Sequence, residues 1–137
     1  RKQHETSKTE ISMYRALQFL STGDRPYRCS AGSSLLALLP NGDLLPCRRM
    51  PRVVGNLFQE SLLSLYRHNP LLLSLRNAHQ LSSGCEKCFF ASACGGGLRC
   101  LSDALYGTPF RADPGCWLPS LLNDYEFTCS EMEIIEQ

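Results

Sequence analysis

Apolar residues recur at helical spacing near the start of the chain. Four of them lie three or four residues apart on one predicted helix face: Ile11, Tyr14, Leu17 and Leu20. Residues 7–10 in front of them fit a capping box, in which a serine hydroxyl and a glutamate carboxylate satisfy free backbone N–H groups. This pattern predicts an amphipathic helix.

A second pattern predicts a β-hairpin further along the chain. Apolar runs over 33–39 and 44–45 flank a turn that contains Asn41-Gly42. Asn-Gly between apolar runs is a strong hairpin signal because both turn positions need a positive φ. Cys29 precedes the first predicted strand and Cys47 follows the second, so we expect both thiols to meet at the open end of the hairpin.

Three more helices are predicted after the hairpin, over 57–66, 71–77 and 101–106. Gly55-Asn56 is predicted to be a turn and N-cap for the first of them. Pro70 ends that helix and can begin the next, because its fixed φ suits the first helical position. Gly107 stops the last one. We expect core packing from 71–73, and the elements together predict a small α+β domain.

Bulk composition excludes several classes of protein. The chain has 137 residues and a net charge of +1, which gives no indication of a nucleic-acid partner or of binding to an anionic membrane surface. No run approaches the roughly 18 apolar residues that span a bilayer. The first ten residues are polar and lack the apolar stretch of a signal peptide, so we expect a cytoplasmic protein without a membrane partner.

The cysteines change this picture. There are eight of them, and four lie in the segment 85–100, which has the sequence CEKCFFASACGGGLRC. Such clustering without an export signal favours metal binding over a disulfide scaffold. Cys85 and Cys88 form a CxxC pair, which can aim two sulfurs at one ion or cluster. Cys94, Cys100 and Cys116 follow singly, a spread that suits an iron–sulfur cluster better than a zinc ribbon with its two pairs.

Three consecutive glycines, Gly95, Gly96 and Gly97, follow Cys94 directly. Glycines allow backbone N–H groups to approach the sulfurs of a cluster, although a flexible loop is the alternative. Four arginines also lie close in sequence to the candidate ligands: Arg48, Arg49, Arg52 and Arg99. They could offset the negative charge of thiolate-bound clusters or face an anionic substrate, and a solvated basic loop is equally consistent with the sequence.

The combined pattern resembles the SPASM domain, the C-terminal module of radical SAM enzymes that mature peptides, sulfatases and some cofactors. Cys29, twelve residues, Gly42, four residues and Cys47 match the first half of its pattern. Four cysteines match the second half: Cys85, Cys88, Cys94 and Cys116. The phrases PNGDLLPCR, VVGNLFQESL and CGGGLRC are also similar to the family.

The resemblance implies two ligand sets and two departures from the family. The four cysteines of the second half would hold one [4Fe-4S] cluster. Cys29, Cys47 and Cys100 would hold the other. This second set has three cysteines because Leu98 and Leu35 stand where many family members have cysteines. That site would have an open iron, a ligand other than cysteine, or no cluster, so we expect one or two clusters. Cys129 fits no ligand position and is expected to be a free thiol or a replacement ligand.

The resemblance also implies that catalysis and auxiliary cluster binding belong to different domains. The CxxxCxxC loop of radical SAM enzymes does not occur in these 137 residues, so we expect a part that is not catalytic alone. Residues 1–27 would be a linker helix from a missing barrel domain, 28–118 the cluster domain with loops organised by metal, and 119–137 a tail. S-adenosylmethionine and a further cluster would belong to that barrel. The expected partners are the barrel and a peptide or small-molecule substrate, and the expected roles are substrate positioning and electron transfer. A structural zinc module without redox function is the alternative.

Overall fold

A three-stranded antiparallel sheet and four short helices make up the part of the chain that the computed structural model describes, residues 26–118. The strands are β1 (Ala37–Leu38), β2 (Asp43–Leu45) and β3 (Gly55–Asn56), in the spatial order β1-β2-β3. The helices are α1 (Leu62–His68), α2 (Pro70–Arg76), α3 (Ala91–Cys94) and α4 (Arg99–Tyr106). The predicted α+β class is confirmed.

The predicted hairpin is present, but its turn differs from the prediction. Ala37 pairs with Leu45 across β1 and β2. The Gly42 amide donates to the Leu39 carbonyl at 2.9 Å, which closes a β-turn with Pro40 at its second position. Among the described residues only glycines have a positive φ, and Gly42 has one of 86°. The expectation of a positive φ at both Asn41 and Gly42 was wrong, because the proline favours a three-residue connection that ends in a left-handed glycine.

The segment Gly55–Asn56 was predicted to be a turn and helix cap, and this was wrong. It forms β3, in which Gly55 pairs with Leu44. A Cβ on Gly55 would lie 2.3 Å from Cδ2 of Leu65, so the glycine lets α1 pack directly on the sheet. The helix therefore begins later than predicted, at Leu62, and its cap is Ser61, whose Oγ accepts the Ser64 amide at 3.2 Å.

The predictions from proline and glycine at helix ends are confirmed. Pro70 occupies the first turn of α2, and the Asn69 side chain in front of it accepts the amides of Leu71 and Leu72. Gly107 ends α4 in the left-handed conformation with a φ of 69°. In both places a local backbone requirement selects the residue, which explains why the sequence pattern is sufficient.

Two small groups of buried residues form the core. One lies between the sheet and the first two helices and comprises Leu44, Val54, Leu65 and Leu72. The other comprises Ala31, Met50, Leu75 and Cys100. Each fully buried leucine or methionine contributes about 1.5–3 kcal/mol. The run at 71–73 supplies the core through Leu72, whereas Leu73 is 46% exposed.

Several predictions lie outside the described residues. These are the first amphipathic helix, the tail and Cys129. Within residues 26–118, no helix is both long enough and apolar enough to cross a membrane.

Candidate metal centres

Three cysteines from distant parts of the chain meet beside the hairpin, and we call them the three-thiol set: Cys29, Cys47 and Cys100. Cys47 follows β2, and Cys100 lies in the first turn of α4. Cys29 and Cys47 pack against the buried group that contains Cys100. An ion pair of 2.7 Å between Arg52 and Asp103 holds the loop after Cys47 against α4. The hairpin and α4 thus bring these thiols together.

The three-thiol set lines a cavity of about 370 Å³. Leu35 and Leu98, which stand where the family pattern has cysteines, line the same cavity. Tyr27, Arg48 and Arg49 also line it. Both leucines carry an apolar side chain that cannot bind a metal.

Charge and burial act together on the three-thiol set. Burial raises the pKa of the Cys100 thiol, and the neighbouring thiols of Cys29 and Cys47 raise it further, while Arg49 opposes this shift. The Arg49 amide also donates to Sγ of Cys47 at 3.4 Å.

The remaining described cysteines form a second group, the four-thiol set: Cys85, Cys88, Cys94 and Cys116. The Cys88 amide donates to the Cys85 carbonyl at 3.0 Å, which closes the CxxC turn. Cys94 ends α3, and Cys116 lies in the turn after Asp113. Phe90, Ala91 and Leu118 complete a mostly apolar wall around the thiols.

The electrostatics of the four-thiol set follow the same pattern. Burial raises the pKa of Cys85 to about 11, with further contributions from the thiols of Cys88, Cys116 and Cys94. Burial also raises the pKa of Cys94 and of Cys116. Backbone N–H groups oppose these two shifts, from Gly96 and Gly97 for Cys94 and from Leu118 for Cys116. Donors that point at the sulfurs favour the thiolate form, which is the form that binds metal.

The glycines singled out in the sequence contribute both hydrogen bonds and close packing. Gly96 and Gly97 supply the N–H groups that reach Cys94, as the sequence suggested. Their missing side chains also have a packing cause, because a Cβ on Gly96 would lie 2.1 Å from Oγ of Ser82 and one on Gly97 would lie 2.4 Å from Cβ of Asp113. Gly95 lies against the Arg28 side chain, and Gly42 lies in the hairpin turn against Asn56 and Phe58.

Asp113 is a structural residue of this region that the sequence did not single out. It is 5% exposed, and its carboxylate accepts the amides of Leu98 and Gly115, each at 2.8 Å. Leu98 lines the cavity of the three-thiol set, and Gly115 precedes Cys116 of the four-thiol set. Asp113 therefore joins the loops that carry the two sets. No local sequence pattern indicates this link.

The sequence indicates only that Arg99 lies close along the chain to candidate ligands. It is 3% exposed, whereas Arg48, Arg49 and Arg52 are exposed. Its Nη1 donates to the Pro109 carbonyl at 3.0 Å, and its guanidinium lies 5.0 Å from the Phe110 ring centroid. Burial lowers the pKa of Arg99, and thiols from both sets oppose that shift. The guanidinium is therefore close enough to interact with thiols of both sets.

The donor sets suit iron–sulfur ligation. All seven described cysteines are free thiols, and cysteine thiolates are the usual ligands of such clusters. Within residues 26–118, no three His, Cys, Asp or Glu side chains approach closely enough to hold a single metal ion.

Comparison with known proteins agrees with this chemistry. Residues 29–89 match the model of the SPASM family, described as an iron–sulfur cluster-binding domain. A PqqA peptide cyclase of Rhodopseudomonas palustris is 29% identical over 116 residues, which cover 80% of this chain and 30% of the relative. One from Methylobacterium nodulans is 28% identical, with 70% and 27% covered, and one from Xanthomonas campestris pv. campestris is 26% identical, with 82% and 32% covered. The chain spans about a third or less of the length of these relatives.

Proposed function

We propose that this chain, whose residues 29–89 match the model of the SPASM iron–sulfur cluster-binding domain, is the auxiliary-cluster part of a radical SAM enzyme that modifies a peptide. Segment 28–118 would be the cluster domain, with 1–27 as the link to a catalytic barrel and 119–137 as a tail. S-adenosylmethionine and its own cluster would bind in that barrel, so this part would not be catalytic alone.

The observation that carries the proposal is the separation of seven cysteines into two sets, each lining its own cavity. We assign a [4Fe-4S] cluster to the four-thiol set, which offers a full set of thiolates. We assign a second cluster to the three-thiol set, where Leu35 and Leu98 supply no ligand and one iron would lack a cysteine. When bound, such clusters supply electron transfer.

The residues around the thiols would tune and protect these centres. The amides of Gly96, Gly97 and Leu118 donate toward thiols of the four-thiol set, and such hydrogen bonds stabilise the thiolate ligands. The apolar side chains of Phe90 and Ala91 line the same cavity and limit its contact with water. Free thiols throughout the described cysteines are consistent with a cytoplasmic setting, which we include in the proposal.

A peptide substrate would be positioned against the three-thiol side. The cavity there has apolar walls, including Leu35 and Leu36, and carries Arg48 and Arg49 at its rim. Such a surface can hold an apolar side chain while an arginine binds a backbone carbonyl or an acidic group. The named relatives act on a peptide, which supports this substrate class over a small cofactor precursor.

The proposal is tested by anaerobic reconstitution of the chain with iron and sulfide. We expect about eight irons and eight sulfides per chain, or about four if only the four-thiol set is loaded, with broad visible charge-transfer absorbance. Zinc offered in parallel is the control. Stoichiometric zinc without stable iron would leave the alternative, a structural zinc module with tetrahedral sites.

A further inference from the structure

The side chain of Arg99 interacts electrostatically with thiols of both sets. Its segment runs from Cys94 of the four-thiol set to Cys100 of the three-thiol set, so the backbone holds it between them. Its guanidinium interacts electrostatically with Cys29 of the three-thiol set, with Cys85 and Cys94 of the four-thiol set, and with the neighbouring Arg28. Arg99 can therefore act on both ligand sets.

The surroundings of Arg99 leave part of its side chain without a partner. Nη1 is bound to the Pro109 carbonyl, but Nη2 is buried and has no hydrogen-bond partner among the described residues. Within residues 26–118, no carboxylate forms an ion pair with this guanidinium; the ion pair found there joins Arg52 and Asp103. A buried charge without compensation is strongly unfavourable, and so is a buried donor without an acceptor.

Anionic groups at the two thiol sets would remove both problems. Thiolate-ligated clusters carry negative charge and offer sulfur atoms as hydrogen-bond acceptors, and both their net charge and the hydrogen bonds to their sulfurs set the reduction potential. Arginine is suited to this task because it stays protonated when buried and presents several donors in one plane. The Phe110 ring holds that plane in place.

We propose that Arg99 is a shared positioning residue for both centres: its buried guanidinium compensates the charge of the two clusters and raises the reduction potential of each. This inference rests on the proposed function, because it requires clusters at both sets. Reduction adds negative charge to a cluster, and a nearby fixed cation stabilises the reduced form more than the oxidised form.

The alternative is a purely structural Arg99, which fixes the Pro109 carbonyl and packs on Phe110. The two roles differ in whether the charge of Arg99 changes the reduction potential of the clusters. A structural role predicts changes in stability and cluster loading without a change in the potential of the clusters that remain bound. The proposed role predicts a change in potential at both sets, including in chains that are folded and fully loaded.

The experiment measures midpoint potentials by dye-mediated redox titration of the anaerobically reconstituted 137-residue chain, followed by visible and electron paramagnetic resonance spectra. The variants are Arg99→Met, which removes charge and donors, and Arg99→Lys, which keeps the charge but not the planar donors. Arg49→Met is a one-sided comparison, because Arg49 acts on Cys100 of the three-thiol set. Arg67→Met, at an exposed position on α1, is the control. Each is also made in Cys116→Ala and Cys100→Ala backgrounds to assign each potential to its set.

We expect Arg99→Met to lower the reduction equilibrium constant of both clusters about tenfold, or about 59 mV for one electron. Arg99→Lys should lower the reduction equilibrium constants of both clusters by less than Arg99→Met. Arg49→Met should lower only that of the three-thiol set, and Arg67→Met should change neither. If Arg99→Met fails to load, Arg99→Gln, which also removes the charge, takes its place: a fall in potential at both sets supports the proposal, and wild-type potentials overturn it. Unchanged potentials in loaded Arg99→Met also overturn it. Failure of the wild-type chain to bind iron and sulfide would instead refute the proposed function.

Discussion

At the level of single side chains, the described cysteines group by their spatial neighbours and not by their order along the chain. Cys100 is only six positions after Cys94, yet it lies with Cys29 and Cys47. The reason is the turn that the glycines make, after which α4 begins and carries Cys100 toward the hairpin. A ligand list made from sequence order alone would place Cys100 with the CxxC motif.

This grouping predicts different losses from different cysteine substitutions. Cys116→Ala should remove the cluster of the four-thiol set and keep the other, because the two sets share no thiol. Cys100→Ala should do the reverse. Iron and sulfide counts with visible spectra after reconstitution provide the measurement. Complete loss of absorbance in either variant would mean that the sets do not load separately.

The thiol environments also predict a pH dependence for the reduced, metal-free chain. Burial raises the pKa of Cys85 to about 11 from an ordinary value of 9.0, so the folded chain keeps a proton that the unfolded chain releases. The resulting stabilisation is complete below pH 9 and is lost as the pH rises toward 11. The urea midpoint under reducing conditions should therefore be lower at pH 10 than at pH 8. An equal or higher midpoint at pH 10 would contradict this expectation.

The sequence indicates which residues can bind metal but not which of their neighbours are buried. Thiols in a CxxC spacing are recognisable because the spacing itself is the chemical requirement. The burial of Arg99 and Asp113 depends on packing between segments that are far apart in sequence, such as the turn at 113–116 and the start of α4. No local pattern encodes such contacts.

Among the elements, those with a local signal were predicted well. The hairpin, the proline at the start of α2 and the glycine at the end of α4 each follow from the backbone requirements of a few residues. Strand β3 was missed because it has two residues and exists through its pairing with β2. Its glycine indicated a turn, whereas the actual cause is the close approach of Leu65.

The glycine loop between α3 and α4 gives a prediction at the scale of elements. Gly97→Ala should place a Cβ against Asp113 at a φ of 80°, so it adds a clash to the strain of the left-handed backbone. We expect a loss of about 2–4 kcal/mol in the free energy of unfolding, together with poorer loading of the four-thiol set. Chemical denaturation and iron content measure both effects.

Gly107→Ala is the matched control, because Gly107 has a φ of 69° but open space where its Cβ would be. It should lose only about 1–2 kcal/mol from backbone strain and should leave iron content unchanged. Equal losses of stability and of iron in the two variants would show that contact with Asp113 is unimportant.

At the scale of the whole molecule, the two small apolar cores of the described part indicate that the proposed metal binding would contribute to folding. Several large side chains remain exposed, among them Phe58 at 80% and Phe89 at 91%. The core groups hold the sheet to α1 and α2, while the cysteine-bearing loops over 83–98 and 108–118 contain little regular structure apart from α3. In such regions the free energy of metal binding contributes directly to folding.

Removal of the clusters should therefore lower thermal stability. We expect the unfolding midpoint of the loaded chain to fall by more than about 10 °C after anaerobic chelation, since about 1 kcal/mol shifts the midpoint of a small domain by 4–8 °C. Circular dichroism under argon measures the midpoint, and re-addition of iron and sulfide should restore it. A midpoint that is insensitive to chelation would indicate that the loops are ordered without metal.

The interleaving of the two thiol sets along the chain determines the order in which they can be assembled. The four-thiol set closes a loop from 85 to 116, whereas the three-thiol set must close one from 29 to 100. Each doubling of loop length costs about 0.6 kcal/mol more in chain entropy, so the shorter closure is favoured. Cys100 lies inside that shorter loop, and closing it confines this thiol near its final position. If the proposed clusters form, loading of the four-thiol set would thus prepare the other site, and metal would enter the chain first at 85–116 and then beside the hairpin.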